Sequence, residues 1–253
     1  TWSPDHASPM TGKLRTFLRL LAVQGAWSYE RMLGVGVGFA ATPILEDLKS
    51  ADPSRYSEAV VRSAEYFNSH PYIAGLALGA SVRAEYELVP GHQISRLRTA
   101  LCGPLGSLGD RFFWAGVLPA LLGVTIIGVA LGHPLVATAT FLVVYNGIRL
   151  ATSVWALRTG LASGIRVGQA IGASWLPAAA DRAGLAAGGA IGMALAVAGG
   201  WLLEPFPLPE VLLALGVMLF GLLGAWRFGS RLPAVRFALL TLSLAAIWAW
   251  RVG

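Results

Sequence analysis

Phe112–Gly132 reads FFWAGVLPALLGVTIIGVALG and carries no charged side chain. A helix that crosses a bilayer needs about 20 mostly apolar residues, with its backbone polar groups satisfied inside the segment. This stretch has that length. Four more candidates follow it: Leu135–Leu157, Gly184–Leu203, Val211–Trp226 and Phe237–Trp250, the last two being short. The whole chain agrees with them, since 55% of its 253 residues are hydrophobic, 13% are charged, and the mean hydropathy is +0.63. Soluble domains carry about a quarter charged residues, and disordered chains are poor in apolar ones, so both classes are excluded. The expected fold is an all-α integral membrane protein. An amphipathic and re-entrant helical region over residues 1–110 precedes a bundle of about five transmembrane helices over residues 111–253.

Charge sets the expected orientation. Lys and Arg number 19 against 13 Asp and Glu, a balance of +6, and after Arg111 the only acids are Asp181, Glu204 and Glu210. Arg96, Arg98 and Arg111 precede the first span, and Gly132-His133-Pro134 after it has no Lys or Arg. Arg158, Arg166 and Arg182 mark the next connection, Glu204 to Pro207 is acidic, and Arg227, Arg231 and Arg236 follow. Basic and non-basic connections alternate, as the positive-inside rule requires, with Arg251 a minor exception. The N-terminal half is therefore expected on the cytoplasmic side and the C-terminus outside. A membrane also accounts for the basic balance without nucleic acid. No stretch near the N-terminus has a signal-peptide layout, so no cleaved leader is expected.

Two apolar runs in the first half, Gly34–Ala41 and Pro71–Val82, are too short to cross and suit buried core helices or re-entrant segments. Between them Asp52 is a good N-cap and Pro53 suits the first helical position. Tyr56, Val60, Ala64 and Phe67 recur at helical spacing, and Pro71 predicts a helix end near Asn68-Ser69-His70. A polar break followed at once by an apolar run is where transporters place open backbone beside a cavity. Gly103-Pro104-Leu105-Gly106-Ser107-Leu108-Gly109-Asp110 predicts a second break, a flexible loop. Asp110 then either caps the span at Phe112 or stands as a carboxylate at membrane depth.

Other signals are excluded or assigned to packing. Gly36–Ala41 matches G-x-G-x-x-A, but no strand precedes it, so it is no dinucleotide site. There is no P-loop, and a lone cysteine, Cys102, offers neither a disulfide partner nor a metal cluster. His6, His70, His92 and His133 show no i,i+4 pair, so no metal or other cofactor is expected. Gly184, Gly188 and Gly192 predict close helix packing, and Trp201, Trp226, Trp248 and Trp250 an interfacial belt. Trp27 and Tyr29 could stack on a sugar, although a core or interface role is commoner. No nucleophile–base pair is present, and no catalytic residue is assigned.

Three segments together resemble the IID component of the mannose/fructose/sorbose family of the bacterial sugar phosphotransferase system. They are Gln24-Gly25-Ala26-Trp27-Ser28-Tyr29-Glu30-Arg31-Met32, Phe67-Asn68-Ser69-His70-Pro71-Tyr72, and Leu101 to Asp110 followed by Phe112-Phe113-Trp114. They are similar to the family's Q-G-x-x-N-[YF]-E-R-M, F-N-T-[HQ]-P-[FY] and G-P-L-A-G-[IV]-G-D then F-W, in order and in spacing. Asn146-Gly147-Ile148-Arg149 falls where the family has N-x-x-R. Ser28 stands where asparagine is usual, Ser69 replaces threonine, and Arg111 replaces a small residue or proline. The connection after Trp201 is shorter than in typical members.

The resemblance implies a subunit of the bacterial cytoplasmic (inner) membrane. It would pair with a polytopic IIC component, the heterodimers assembling as trimers. A hexose would cross this unit and be phosphorylated from a phosphohistidine on soluble IIB, which IIA charges, with no phosphorylated residue on IID. Carboxylates and amides read sugar hydroxyls because they accept and donate in fixed directions. Glu30, Asn68 and Asp110 are the foremost substrate-binding candidates, with Gln24 and His70 behind them. Glu30 could instead pair with Arg31 or another arginine, and His70 could serve a helix end. The alternative to transport is a IID-derived binding or regulatory subunit.

Overall fold

Residues 10–203 and Gly216 are described by a computed structural model, and every regular element among them is helical. The chain divides into two compact units, Thr1–Ala196 and Val197–Gly253, and the account below concerns the first. It opens with α1, Lys13–Leu21. Gly12 just before it takes φ +73°, and a Cβ there would lie 2.2 Å from the Pro43 carbonyl oxygen, so only glycine suits both the turn and the contact. A 3-10 turn, Val23–Ala26, leads towards α2, Gly34–Ala51, which absorbs the first short apolar run. The Asp52 carboxylate then accepts from the Arg55 backbone N–H at 3.0 Å, with Pro53 in the first turn of α3, Pro53–Ser63. This is the cap expected from the sequence.

The helix stops earlier than expected. It ends at Ser63, not near Asn68–His70, because the buried Arg98 guanidinium takes the Ser63 carbonyl at 3.0 Å and that of Glu65 at 3.5 Å. A 3-10 turn, Pro71–Ile73, then opens α4, Ala74–Tyr86, in which 12 of the 13 residues are buried. The second apolar run is therefore a core helix, one of the two readings its length allowed. Its burial depends on small residues. A Cβ at Gly79 would lie 2.6 Å from the Leu161 nitrogen, and one at Gly160 would lie 2.4 Å from the Leu76 carbonyl oxygen. The last turn of α4 carries a buried carboxylate, Glu85, held by Arg62 at 2.8 Å and Arg55 at 2.9 Å. Arg55 also donates to the Glu85 and Val89 carbonyls, both at 2.8 Å, and so ties α3 to the end of α4.

The second half is built of long helices. α5, Gly91–Phe112, runs through a π-helical turn, Phe113–Val117, into α6, Leu118–Ala130. Pro119 has no N–H for the Ala115 carbonyl and its ring crowds that group, which is a physical reason for the helix to widen there. α7, Pro134–Ser163, continues through a 3-10 turn, Gly164–Arg166, into α8, Val167–Gly172, and α9 spans Leu176–Leu203. Among the described residues, three continuous stretches are long and apolar enough to cross a membrane: Gly91–Ala130, Pro134–Gly172 and Leu176–Gly200. Their outer faces expose Val124, Leu135, Val143 and Leu185, as hydrocarbon-facing helices do. The expected spans Val211–Trp226, apart from Gly216, and Phe237–Trp250 lie outside the described residues.

One expectation is corrected here. Gly103–Asp110 is not a loop but the interior of α5, so Asp110 caps nothing. The glycines that suggested a break are there for packing: a Cβ at Gly109 would lie 2.2 Å from His70 Cβ. The Gly184, Gly188, Gly192 repeat meets no neighbour within 4 Å among the described residues, and most of the chain after Leu203 lies outside them. Among the described residues, α9 is closely packed at Ala183, against Gly116, and at Ala190, against Gly123.

Candidate functional site

The polar motifs, far apart in sequence, lie on segments that touch. Ser28 and Met32 exchange backbone hydrogen bonds, Ser28 N–H to Met32 O at 3.3 Å and Met32 N–H to Ser28 O at 2.7 Å. The Ser28 hydroxyl accepts from the Arg31 N–H at 3.3 Å, and Met32 closes the turn at φ +51°. Glu30 sits in this turn, exposed, beside Tyr29, whose ring meets Trp27 edge-on at 4.8 Å. The turn is pinned to the second motif. Leu33 N–H donates to Phe67 O at 2.9 Å, and Phe67 N–H donates to Arg31 O at 3.3 Å. Asn68, also exposed, is the next residue.

Beyond Asn68 the chain dives inwards. His70 is 1% exposed, and its Nδ1 accepts from the Tyr72 N–H at 3.3 Å, capping the 3-10 turn. The helix-end role that the sequence left open for this residue is thus its observed one. The imidazole stacks on Phe113 at 4.9 Å, meets Tyr72 edge-on at 4.8 Å and rests on Gly109. Burial lowers its pKa to about 4, because the cation would lose its hydration. His70 is neutral at pH 7 as a result. With Nδ1 accepting, Nε2 carries the proton, and it is buried without a partner among the described residues.

Gln24 joins the same neighbourhood from the other side. It lines a small cavity of about 10 Å³ with Tyr72, Arg149 and Ser153, room for about one water molecule. Arg149 lies 4.8 Å over the Tyr72 ring and donates to Leu21 O at 3.4 Å, and Tyr145 and Tyr72 bring their hydroxyls to 3.5 Å. Asp110 is exposed on α5 next to Gly109, while its neighbour Arg111 pairs with Asp181. The structure thus gathers the five candidates as adjoining segments. No hydrogen bond or ion pair joins any two of their side chains among the described residues, and Glu30 is not paired with Arg31.

Arg98 was used in the sequence only to orient the chain, and it proves central to the site's scaffold. It is 2% exposed, lies over Phe67 at 5.1 Å and holds the carbonyls that set the course of residues 63–67. The signal was present: Ile94, Arg98, Leu101 and Leu105 follow helical spacing and are all buried.

Residues 12–202 match the sequence profile described as the PTS system mannose/fructose/sorbose family IID component. The chain belongs to this family. Among its relatives is the mannose-specific EIID component of Escherichia coli (strain K12), 31% identical over 167 residues, which are 63% of this chain and 58% of that protein. The fructose permease IID component of Bacillus subtilis (strain 168) is 29% identical over 158 residues, 60% of this chain and 56% of that one. The chain thus spans less than two thirds of the length of the curated relatives it matches. The fold also matches a chain in the cryo-EM structure of the mannose transporter ManYZ in complex with microcin E492 (MceA). That likeness has a TM-score of 0.54 and 22% identity, over 94% of either chain.

Proposed function

We propose that this IID-family chain is the membrane subunit of a phosphotransferase-system sugar transporter, translocating a hexose together with a IIC partner for phosphorylation by IIB. One observation carries the reading. Glu30, Asn68 and Asp110 are exposed, lack side-chain partners among the described residues, and lie on segments held together by the Met32–Phe67 backbone pairing and the His70–Gly109 contact. Unpaired polar groups on a rigid scaffold are what a sugar site needs, since hydroxyls are read by fixed donors and acceptors. The nearby cavity of about 10 Å³ is far too small for a hexose. The sugar pocket is therefore completed by the IIC subunit, with Gln24 and His70 supporting its floor. In this reading residues 1–110 present the motifs towards the cytoplasm, where IIB and IIA act, and residues 111–253 anchor the chain in the bacterial cytoplasmic membrane with the C-terminus outside. The heterodimers assemble as trimers.

A second reading, a binding or regulatory subunit that has lost transport, is favoured by Ser28, whose hydroxyl is engaged by the Arg31 N–H. Sugar binding separates the two. In complexes that still assemble, Glu30→Gln and Asn68→Ala are each expected to weaken hexose binding by at least tenfold, the loss of one to two hydrogen bonds to a desolvated sugar. Unchanged affinity in both variants, by calorimetry or radiolabelled sugar, removes these residues from the site. No hexose binding in the parent complex favours the second reading.

A further inference from the structure

We propose that the cleft between α1 and α2 binds the headgroup of an anionic phospholipid. The cleft has a volume of about 220 Å³ and is lined by Arg15, Arg19, Thr42, Pro43, Glu46 and Tyr56. Neither arginine has a carboxylate partner among the described residues, so two guanidiniums and one carboxylate line the cleft, and Lys49 lies nearby, 6.0 Å over the Tyr56 ring. Arg19 is already oriented: it donates to Phe39 O at 2.9 Å and to the Thr42 hydroxyl at 2.5 Å, and its guanidinium lies 4.1 Å over the Phe39 ring. The Thr42 hydroxyl gives its own proton to Phe39 O at 3.0 Å, and both Arg19 bonds use Nη1, so Nε and Nη2 of a guanidinium held in place stay free to donate to a phosphate ester.

The second observation is what lies beside the cleft. Leu14 and Leu18 form an i,i+4 stripe on α1, one residue out of phase with Arg15 and Arg19, and are 69% and 54% exposed. Phe39, 56% exposed, continues the apolar surface onto α2. A helix with a leucine stripe next to an arginine stripe lies at the headgroup boundary of a bilayer. An amphiphile fits both halves at once, its phosphate in the cleft and its acyl chains along the leucines. A free phosphate has no use for the leucines, and the two arginines of the cleft favour a negative headgroup over a zwitterionic one.

The test is native mass spectrometry of the full chain, purified from membranes with any accompanying subunit and titrated with dioleoyl-phosphatidylglycerol or dioleoyl-phosphatidylcholine. The glycerol lipid is expected to bind at least tenfold more tightly. Arg15→Gln is expected to weaken it about fivefold and Arg15→Gln/Arg19→Gln about thirtyfold, with choline-lipid binding unchanged. Arg15 is exposed and makes no hydrogen bond among the described residues, so its single variant keeps the fold even if Arg19→Gln does not. Equal binding of the two lipids, or no effect of Arg15→Gln, overturns the proposal. So does displacement of the lipid by an equal concentration of inorganic phosphate, which marks a free-anion site. Protection of Arg15 from phenylglyoxal by a protein subunit in the delipidated complex also overturns it, by making this face a protein interface.

Discussion

Glu85→Ala is expected to destabilise the chain by about 3–5 kcal/mol, the cost of removing one partner from a buried ion pair. The carboxylate is 2% exposed and answers two guanidiniums, Arg62 at 2.8 Å and Arg55 at 2.9 Å. Removing it leaves Arg55 with no carboxylate and Arg62 with only the exposed Glu58, 4.0 Å away. The space beside them is closed, since a Cβ at Gly91 would lie 2.2 Å from Arg62 Nη1. Glu85→Gln keeps the shape and one acceptor, so it should cost clearly less than alanine. Thermal unfolding of the detergent-solubilised chain checks both. A loss below about 1 kcal/mol for alanine, the level of exposed pairs, would show that the triad is solvated and does not hold α3 on α4.

Gly109→Ala is expected to disturb stability and sugar binding together. The new methyl would stand 2.2 Å from His70 Cβ and 2.6 Å from Cγ. The imidazole has nowhere to go, with Phe113 stacked at 4.9 Å and Tyr72 edge-on at 4.8 Å. Overpacking of a closed core costs about 1–3 kcal/mol, and this site should reach the upper end. Movement of His70 also shifts Asn68, two residues earlier, which links the packing to the proposed site. Gly103→Ala is the internal control, because nothing among the described residues lies within 4 Å of a Cβ there. Helix propensity alone favours that change by up to about 1 kcal/mol. Equal stability of the two variants would contradict the assigned role of Gly109.

These two positions also show what could and could not be read from the chain. Apolar length alone marked three of the membrane-crossing stretches, and the Asp52-Pro53 cap was local chemistry that tertiary contacts left alone. Gly103–Asp110 failed because glycine and proline signal a break only where no neighbour needs the space. Here Gly109 makes room for His70, and a helix buried against other helices tolerates Pro104. The Ser63 end of α3 failed for a similar reason. Pro71 sets only an outer limit, and Arg98, 35 residues on, stops the helix sooner. On α9 the close contacts among the described residues fall at Ala183 and Ala190, positions that no glycine pattern marked.

The candidate site divides in the same way. Glu30, Asn68 and Asp110 stood out as polar residues inside recognisable motifs, and their exposure was consistent with that. Their assembly was not legible, because it rests on pairing between Met32 and Phe67 and on stacking between His70 and Phe113, contacts with no local periodicity. Arg98 carried a readable signal, a charge on the buried stripe of a helix.

The most direct test of the central claim is co-purification of this chain from detergent-solubilised native membranes. A polytopic IIC-type subunit is predicted to emerge with it in equal amount, because in the proposed function the exposed Glu30, Asn68 and Asp110 need a second surface to enclose a hexose. Recovery of the chain alone, or in a stable complex with unrelated proteins, would contradict the carrier account while leaving its IID-family fold intact.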